Sequence, residues 1–143
     1  MIALDTNLLV YAHKSGSPFH RASLEAIRPL VEAAMPWALP WQVVHEFIAV
    51  VTHPRIYRPA STVREAFGFL DLLFASPSIH LLSESHGYLE LLHRVVRQSH
   101  AIGAQIHDAR LAALCLHHGV SELWTADRDF RAFPQLRTRN PLA

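Results

Sequence analysis

The sequence predicts an α/β fold on a mostly parallel sheet, and three observations predict it. Short apolar runs of strand type recur along the chain, separated by segments whose apolar residues return at helical spacing. Strands that alternate with helices are joined by right-handed β-α-β crossovers, which makes their sheet parallel. Two of the runs, Ile2-Ala3-Leu4 and Leu123-Trp124, lead directly into polar turns that carry carboxylates. In parallel sheets the C-terminal ends of the strands open on one crevice, so carboxylates placed there are brought together. The 143 residues contain no internal repeat, low-complexity tract or long linker, which predicts one domain over 1–143.

The elements follow in order. Residues 2–5 read as a buried strand and 7–13 as a short helix, after which the Ser-Gly-Ser-Pro turn at 15–18 breaks the chain. From His20 to Met35 the apolar residues Leu24, Ile27, Val31 and Ala34 keep helical spacing, and Pro29 should distort or divide that helix. Residues 37–39 are a short strand candidate, and Pro40 stands just ahead of a helix over 41–51 with Val43, Val44, Phe47, Ile48 and Val51 on one face. A polar-aromatic loop at 53–59 leads to a helix over 62–75, which Ser61 or Thr62 can cap. Then come a strand at 79–82, helices at 88–98 and 107–118, the second stopped by Gly119, and a strand at 120–124. Residues 135–139 supply a final edge strand.

Composition excludes several classes. Half the residues are hydrophobic, which suits a compact globule rather than a disordered chain. The net charge of +1 exerts no global pull on nucleic acid or membrane. The cations are nearly all Arg, with Lys14 the one lysine; Arg forks suit phosphate, but an Arg-rich genome produces the same ratio. Cys115 is alone, within the apolar run 111–116, so neither a disulfide framework nor a cysteine metal site is available. Eleven histidines fall in no zinc-like spacing and read as surface or cap residues. Asp5 and Asn7 interrupt any signal-peptide core, and no apolar run approaches a membrane span, so a cytoplasmic location is expected.

Four acidic stations stand out: Asp5, Glu46, Asp108 and the pair Asp127/Asp129. Each has an ordinary reading. Asp5 before Thr6-Asn7 caps a helix, and a capping carboxylate can also bind metal. Glu46 lies either on a solvent stripe with Gln42 and His45 or in a polar cleft. Asp108 sits in the first turn of an apolar helix, where negative charge is favoured. Asp127 and Asp129 are ordinary turn residues, with Thr125 able to orient one of them. If the stations meet, each like-charged pair at about 5 Å costs on the order of 3 kcal/mol at an effective dielectric of about 20, and four groups make six pairs. A divalent cation relieves that repulsion.

Together these segments are specific. Leu4-Asp5-Thr6-Asn7, His45-Glu46-Phe47, His107-Asp108-Ala109 and Thr125-Ala126-Asp127-Arg128-Asp129-Phe130 appear in the order and spacing of PIN-domain nucleases, and the chain resembles their VapC-type toxins over nearly its whole length. The resemblance implies a three-layer α/β/α sandwich around a parallel sheet. It implies that Asp5, Glu46, Asp108 and Asp127 form the catalytic quartet that holds Mg²⁺ or Mn²⁺, with Asp5 and Asp108 as the nearest ligands and Glu46 and Asp127 ligating directly or through water. Asn7, Thr125 and Asp129 match positions that support those carboxylates. It further implies an endoribonuclease, a cognate antitoxin that holds it inactive, and a homodimer. Hydrolysis would leave 5′-phosphate and 3′-hydroxyl ends.

Candidates for gripping RNA are Lys14, Arg55, Arg58, Arg110 and Arg128, with Tyr57 or Trp41 available for stacking. An antitoxin tail could place an Arg among Asp5, Glu46 and Asp108, and the apolar helices at 20–35 and 62–75 could offer it a groove, although core packing explains most of those residues. Two other readings stand beside the nuclease. A PIN-like module could bind RNA or a partner without cutting, and the complete acidic set argues against it. A haloacid-dehalogenase phosphohydrolase also begins with a strand ending in Asp, but wants a second Asp where Asn7 stands and a Lys late in the chain.

Overall fold

Five short strands lie side by side in the order β3-β2-β1-β4-β5, where β1 is Ile2–Leu4, β2 Trp37–Pro40, β3 Ile79–Leu82, β4 Glu122–Trp124 and β5 Thr138–Arg139. This computed structural model describes residues 1–143. Every neighbouring pair is parallel. The central strand is apolar on both faces, as a doubly covered parallel strand must be. Ala3 is in register with Ala38 on one side and Leu123 on the other, and all three are wholly buried.

Six helices cover the sheet: α1 Thr6–His13, α2 His20–Glu32, α3 Trp41–Val51, α4 Val63–Phe74, α5 Tyr88–Ser99 and α6 Gln105–His117. The chain steps outward from β1 to β2 to β3, then crosses back to β4 on the other side of β1. Right-handed crossovers therefore send α1 to α4 to one face and α5 and α6 to the other. The packing agrees: α1 lies on α2 and α3, α3 on α4, and α5 on α6. The product is a three-layer α/β/α sandwich. Strand order reverses between β1 and β4, and at such a switch point a crevice opens beyond the strand C-termini.

Local chemistry sets the element ends. Thr62 caps α4 in a reciprocal box: its hydroxyl accepts from the Glu65 amide at 3.1 Å, and the Glu65 carboxylate accepts from the Thr62 amide at 2.9 Å. Helix α6 is the most enclosed, with Ala109 and residues 111–115 buried. That enclosure pushes the Cys115 thiol up to about 12.

Several boundaries differ from the sequence expectation. Pro29 does not divide α2, because it falls in the last turn. Its missing N–H deprives a single upstream carbonyl of a partner, while its own carbonyl accepts from Ala33 at 3.1 Å. Helix α6 starts at Gln105, two residues before His107. Strand β4 omits Val120 and Ser121, and the edge strand keeps two residues of 135–139. The polar turn after β4 winds into a 3₁₀ helix, Arg128–Ala132, because the Asp127 carboxylate accepts from the Asp129 amide at 2.8 Å.

Candidate active site

Asp5 directly follows β1 and Thr125 directly follows β4, so the two meet across the switch point. The Asp5 amide continues the ladder to the Trp124 carbonyl at 3.0 Å. The Thr125 hydroxyl donates to Asp5 Oδ2 at 2.6 Å and accepts from the Asp127 amide at 3.0 Å and Asn7 Nδ2 at 3.2 Å. One buried hydroxyl thus spends its full bonding capacity on aligning three residues of two segments. Asn7 Nδ2 also donates to Asp5 Oδ2 at 3.3 Å, and Asn7 Oδ1 accepts from the Ala126 amide at 3.2 Å. Asp5 Oδ1 accepts from the Thr6 amide at 2.7 Å and so caps α1. Capping and facing the crevice are therefore one arrangement.

Helix α3 buries Val43, Phe47 and Val51 and turns Glu46 outward onto the crevice wall. Glu46 Oε2 accepts from the Thr6 hydroxyl at 3.0 Å, and its other oxygen has no protein donor. Asp108 projects from the first turn of α6. Asp5, Glu46, Asp108 and Asp127 line one cavity of about 290 Å³, together with Asn7 and Gln42. Carboxylate oxygens of Asp108, Asp127 and Asp129 all lie within 4.8 Å of one another. That group takes in Asp129, which was expected only to support the carboxylates, and leaves out Asp5 and Glu46; Asp108 and Asp129 also edge a second hollow next to Phe133.

The electrostatics follow from this crowding. Burial pushes the Asp5 carboxyl up to about 6; hydrogen bonds from Thr125 and Thr6 oppose the rise, and the charges of Glu46 and Asp127 add to it. Asp108 is raised as well, first by burial and then by Asp127, Asp129 and Glu46. No Lys or Arg lines the cavity to offset them. An uncompensated set of hard carboxylate oxygens fits Mg²⁺ or Mn²⁺.

Among the polar side chains of the cavity wall, Thr6, Gln42 and Tyr11 escaped the sequence reading. Thr6 joins Asp5 to Glu46 through its amide and its hydroxyl. Gln42, expected on a solvent stripe, is 8% exposed; its Nε2 donates to the His107 carbonyl at 2.9 Å, and its buried Oε1 has no partner. It lies one helical turn before Glu46, and that spacing was the available signal. Tyr11 is the third.

The candidate cations divide. Lys14 and Arg58 line a neighbouring cavity of about 820 Å³. Arg110 is held by Glu84 at 3.1 Å, and Arg55 and Arg128 are exposed and line neither cavity. Trp41 packs edge-on against Phe74 of α4 at 5.9 Å, away from the crevice.

Comparison with known proteins agrees with this architecture. The PIN domain family model matches residues 2–136. The chain belongs to the PIN-domain family, and within it to the VapC group. Ribonuclease VapC31 of Mycobacterium tuberculosis is 34% identical over 143 residues, covering 99% of each chain. Ribonuclease VapC48 of the same organism is 30% identical over 139 residues, covering 97% of this chain and 96% of the relative. Among solved structures, VapBC2 from Rickettsia felis bound to a promoter DNA fragment superposes with a TM-score of 0.67 at 19% identity, over 98% of both chains. The sarcin-ricin loop cleaving toxin VapC20 of Mycobacterium tuberculosis gives 0.65 at 18% identity, over 96% of this chain and 99% of the other.

Proposed function

We propose that this protein is a metal-dependent endoribonuclease, the toxin of a toxin–antitoxin pair, acting in the cytoplasm. The observation that carries the reading is the single cavity lined by Asp5, Glu46, Asp108 and Asp127 at the strand C-termini. Support also comes from relatives named as ribonucleases over nearly the full chain.

Asp5 and Asp108 would hold the cation, with Glu46 and Asp127 ligating directly or through water and Asp129 close to Asp108 and Asp127. When bound, Mg²⁺ or Mn²⁺ supplies Lewis-acid polarisation of the scissile phosphate and of the attacking water. The protein's own groups do the positioning. Thr125 and Asn7 fix the rotamer of Asp5 from one side, and the Thr6 amide fixes it from the other. Thr6 aligns one oxygen of Glu46 and leaves the other free to orient a water and take its proton. Water attack on phosphorus leaves 5′-phosphate and 3′-hydroxyl ends.

The partners follow from the same reading. VapBC2 and the VapBC-1 structure from nontypeable Haemophilus influenzae are VapBC proteins of this fold, and a cognate antitoxin is the partner proposed here. An Arg from its tail would find charge-assisted bonds among Asp5, Glu46 and Asp108. An apolar hollow of about 560 Å³ between α2 and α4, lined by Leu24, Ile27, Val31, Leu72 and Leu73, suits an antitoxin helix. A homodimer is proposed on the family pattern, and sedimentation of the purified chain checks it.

The test is cleavage of total RNA by antitoxin-free protein, with and without Mg²⁺ or Mn²⁺, beside Asp5→Asn, followed by end sequencing. Metal-dependent cuts with 5′-phosphate ends, lost in the variant, are expected. A folded wild-type protein that binds metal and RNA without cutting would support the non-catalytic module instead.

A further inference from the structure

Of the four carboxylates in the cavity, Asp108 is the least held. Asp5 accepts from the Thr6 amide, the Thr125 hydroxyl and Asn7 Nδ2, Glu46 from the Thr6 hydroxyl, and Asp127 from the Asp129 amide. No protein donor reaches the Asp108 carboxylate. Its own helix secures its backbone weakly as well. Asp108 lies in the first turn of α6, and the N-cap position there is Ala104, which makes no side-chain cap. The turn is closed by tight backbone bonds from the amides of Gln105, Ile106 and His107 to the carbonyls of Ile102, Gly103 and Ala104, at 3.1 to 3.2 Å. A helix start without a side-chain cap frays readily. Repulsion pushes the same way: carboxylate oxygens of Asp127 and Asp129 lie within 4.8 Å of that of Asp108, so charge favours a swing of the α6 start out of the crevice.

One side chain from the other helical layer supplies a tie. Gln42, the second residue of α3, donates from Nε2 to the His107 carbonyl at 2.9 Å. That carbonyl belongs to the peptide unit that leads into Asp108, so the bond fixes the backbone from which the carboxylate projects. Helices α3 and α6 cover opposite faces of the sheet, and both pack on β2, just past whose end Gln42 stands. Glu46 follows one turn later on the same face of α3, so the start of α6 is fixed relative to the helix that carries Glu46. The amide can point only one way. Turned over, Oε1 would meet the His107 carbonyl, two acceptors face to face. Oε1 is therefore left buried and without a partner. An unpaired buried acceptor is destabilising, which offsets what the Nε2 bond adds to the fold.

We infer that Gln42 is a positioning residue for Asp108: its bond to the His107 carbonyl keeps the start of α6 in the crevice, against the repulsion of the other carboxylates and at a set spacing from Glu46. The inference rests on the metal-dependent nuclease reading and deepens it. Gln42 acts through the backbone of Asp108. Its loss should therefore appear in cation affinity and in the opening of the first turn of α6, not in the affinity for RNA.

The test compares full-length wild type with Gln42→Met, which keeps length and shape without a donor, and Gln42→Glu, whose ionised side chain offers acceptors alone. Amide hydrogen exchange is followed on metal-free protein, Mn²⁺ affinity by electron paramagnetic resonance of the free ion, and RNA cleavage over a Mn²⁺ series. In both variants, exchange over 105–111 is expected to rise roughly ten-fold, while β1, β4 and α3 exchange as in wild type. Mn²⁺ affinity is expected to fall roughly ten-fold or more. Cleavage should fall by a like factor at low Mn²⁺ and recover at saturating Mn²⁺, with KM for RNA within about two-fold of wild type. The urea midpoint of Gln42→Met should stay close to that of wild type, because the change removes the unpartnered Oε1 together with the bond. Exchange over 105–111 and Mn²⁺ affinity both within about two-fold of wild type in Gln42→Met would overturn the inference. Exchange that rises equally in every helix would also overturn it, since Gln42 would then be a general packing residue. Wild type that binds Mn²⁺ but cuts no RNA would remove the nuclease reading, and the exchange and affinity comparisons would still decide the role of Gln42. Wild type that takes up no Mn²⁺ would remove both.

Discussion

Replacing Asp5 by Asn should make the metal-free protein more stable at neutral pH while abolishing its activity. Asp5 is 7% exposed, and its carboxyl titrates at about 6 in the fold against 3.8 unfolded. That gap, at about 1.36 kcal/mol per unit, makes the ionised group about 3 kcal/mol unfavourable in the folded, metal-free state at pH 7.5. The sign is that of a raised acid: its stabilising contribution is complete below the unfolded value of 3.8 and is lost as pH rises through about 6. Asn keeps the acceptor for the Thr6 amide but turns an NH₂ toward the Thr125 hydroxyl and the Asn7 amide. Losing that match costs about 1 kcal/mol. The net expectation is a gain of about 2 kcal/mol at pH 7.5, or roughly 4–8 °C in Tm. At pH 4, where most of the ionisation penalty is gone, the order reverses, the variant being weaker by about 0.5 kcal/mol. Calorimetric melts of both proteins in EDTA at the two pH values measure this, and added Mg²⁺ should raise the Tm of the wild type alone. A variant less stable than wild type at pH 7.5 in EDTA would refute the claim that Asp5 is a strained carboxylate waiting for a cation.

Other changes separate the roles of the neighbours. Thr125→Val strips a partner from Asp5, Asp127 and Asn7 at once, so it should cost roughly 1–3 kcal/mol by urea denaturation and lower RNA cleavage roughly 10–100-fold, with Thr125→Ser restoring most of both. Glu46→Gln, on an exposed side chain, should lower cleavage by roughly 100-fold or more yet leave the denaturation midpoint nearly unchanged. The Cys115 thiol, buried and raised to about 12, should resist a thiol-reactive dye in the native protein and react at once in denaturant.

Three of the four acidic positions were legible in the sequence because each stands at a change of regime, whereas Glu46 lies in the middle of α3 and carried no such mark. Asp5 ends an apolar strand, Asp108 opens an apolar helix, and Asp127 follows an apolar strand into a turn. The parallel sheet was legible from alternation, and the switch point then explains why carboxylates 122 positions apart, Asp5 and Asp127, share a wall. What could not be read was pairing across the fold. Thr6 reaches Glu46 over 40 positions, and Asn7 reaches Thr125 over 118. Neither hydroxyl nor amide announces its partner locally. Gln42 looked solvent-facing because its polarity matched Glu46 and His45; only the packing of α3 against the start of α6 buries it. Pro29 looked like a break because sequence places it mid-run, while the helix ends three residues later at Glu32. Only two residues of the last strand pair with β4, in the register Leu123 to Thr138, and an edge strand with one neighbour leaves little periodicity to read.

The most direct test of the account is a metal titration of RNA cleavage with wild type and the four amide variants Asp5→Asn, Glu46→Gln, Asp108→Asn and Asp127→Asn, each checked for folding. The account predicts cutting by wild type only when Mg²⁺ or Mn²⁺ is present, with 5′-phosphate ends, and a loss of roughly 100-fold or more in every variant. Cutting that persists in EDTA, or that survives in Asp5→Asn at the wild-type rate, would contradict it.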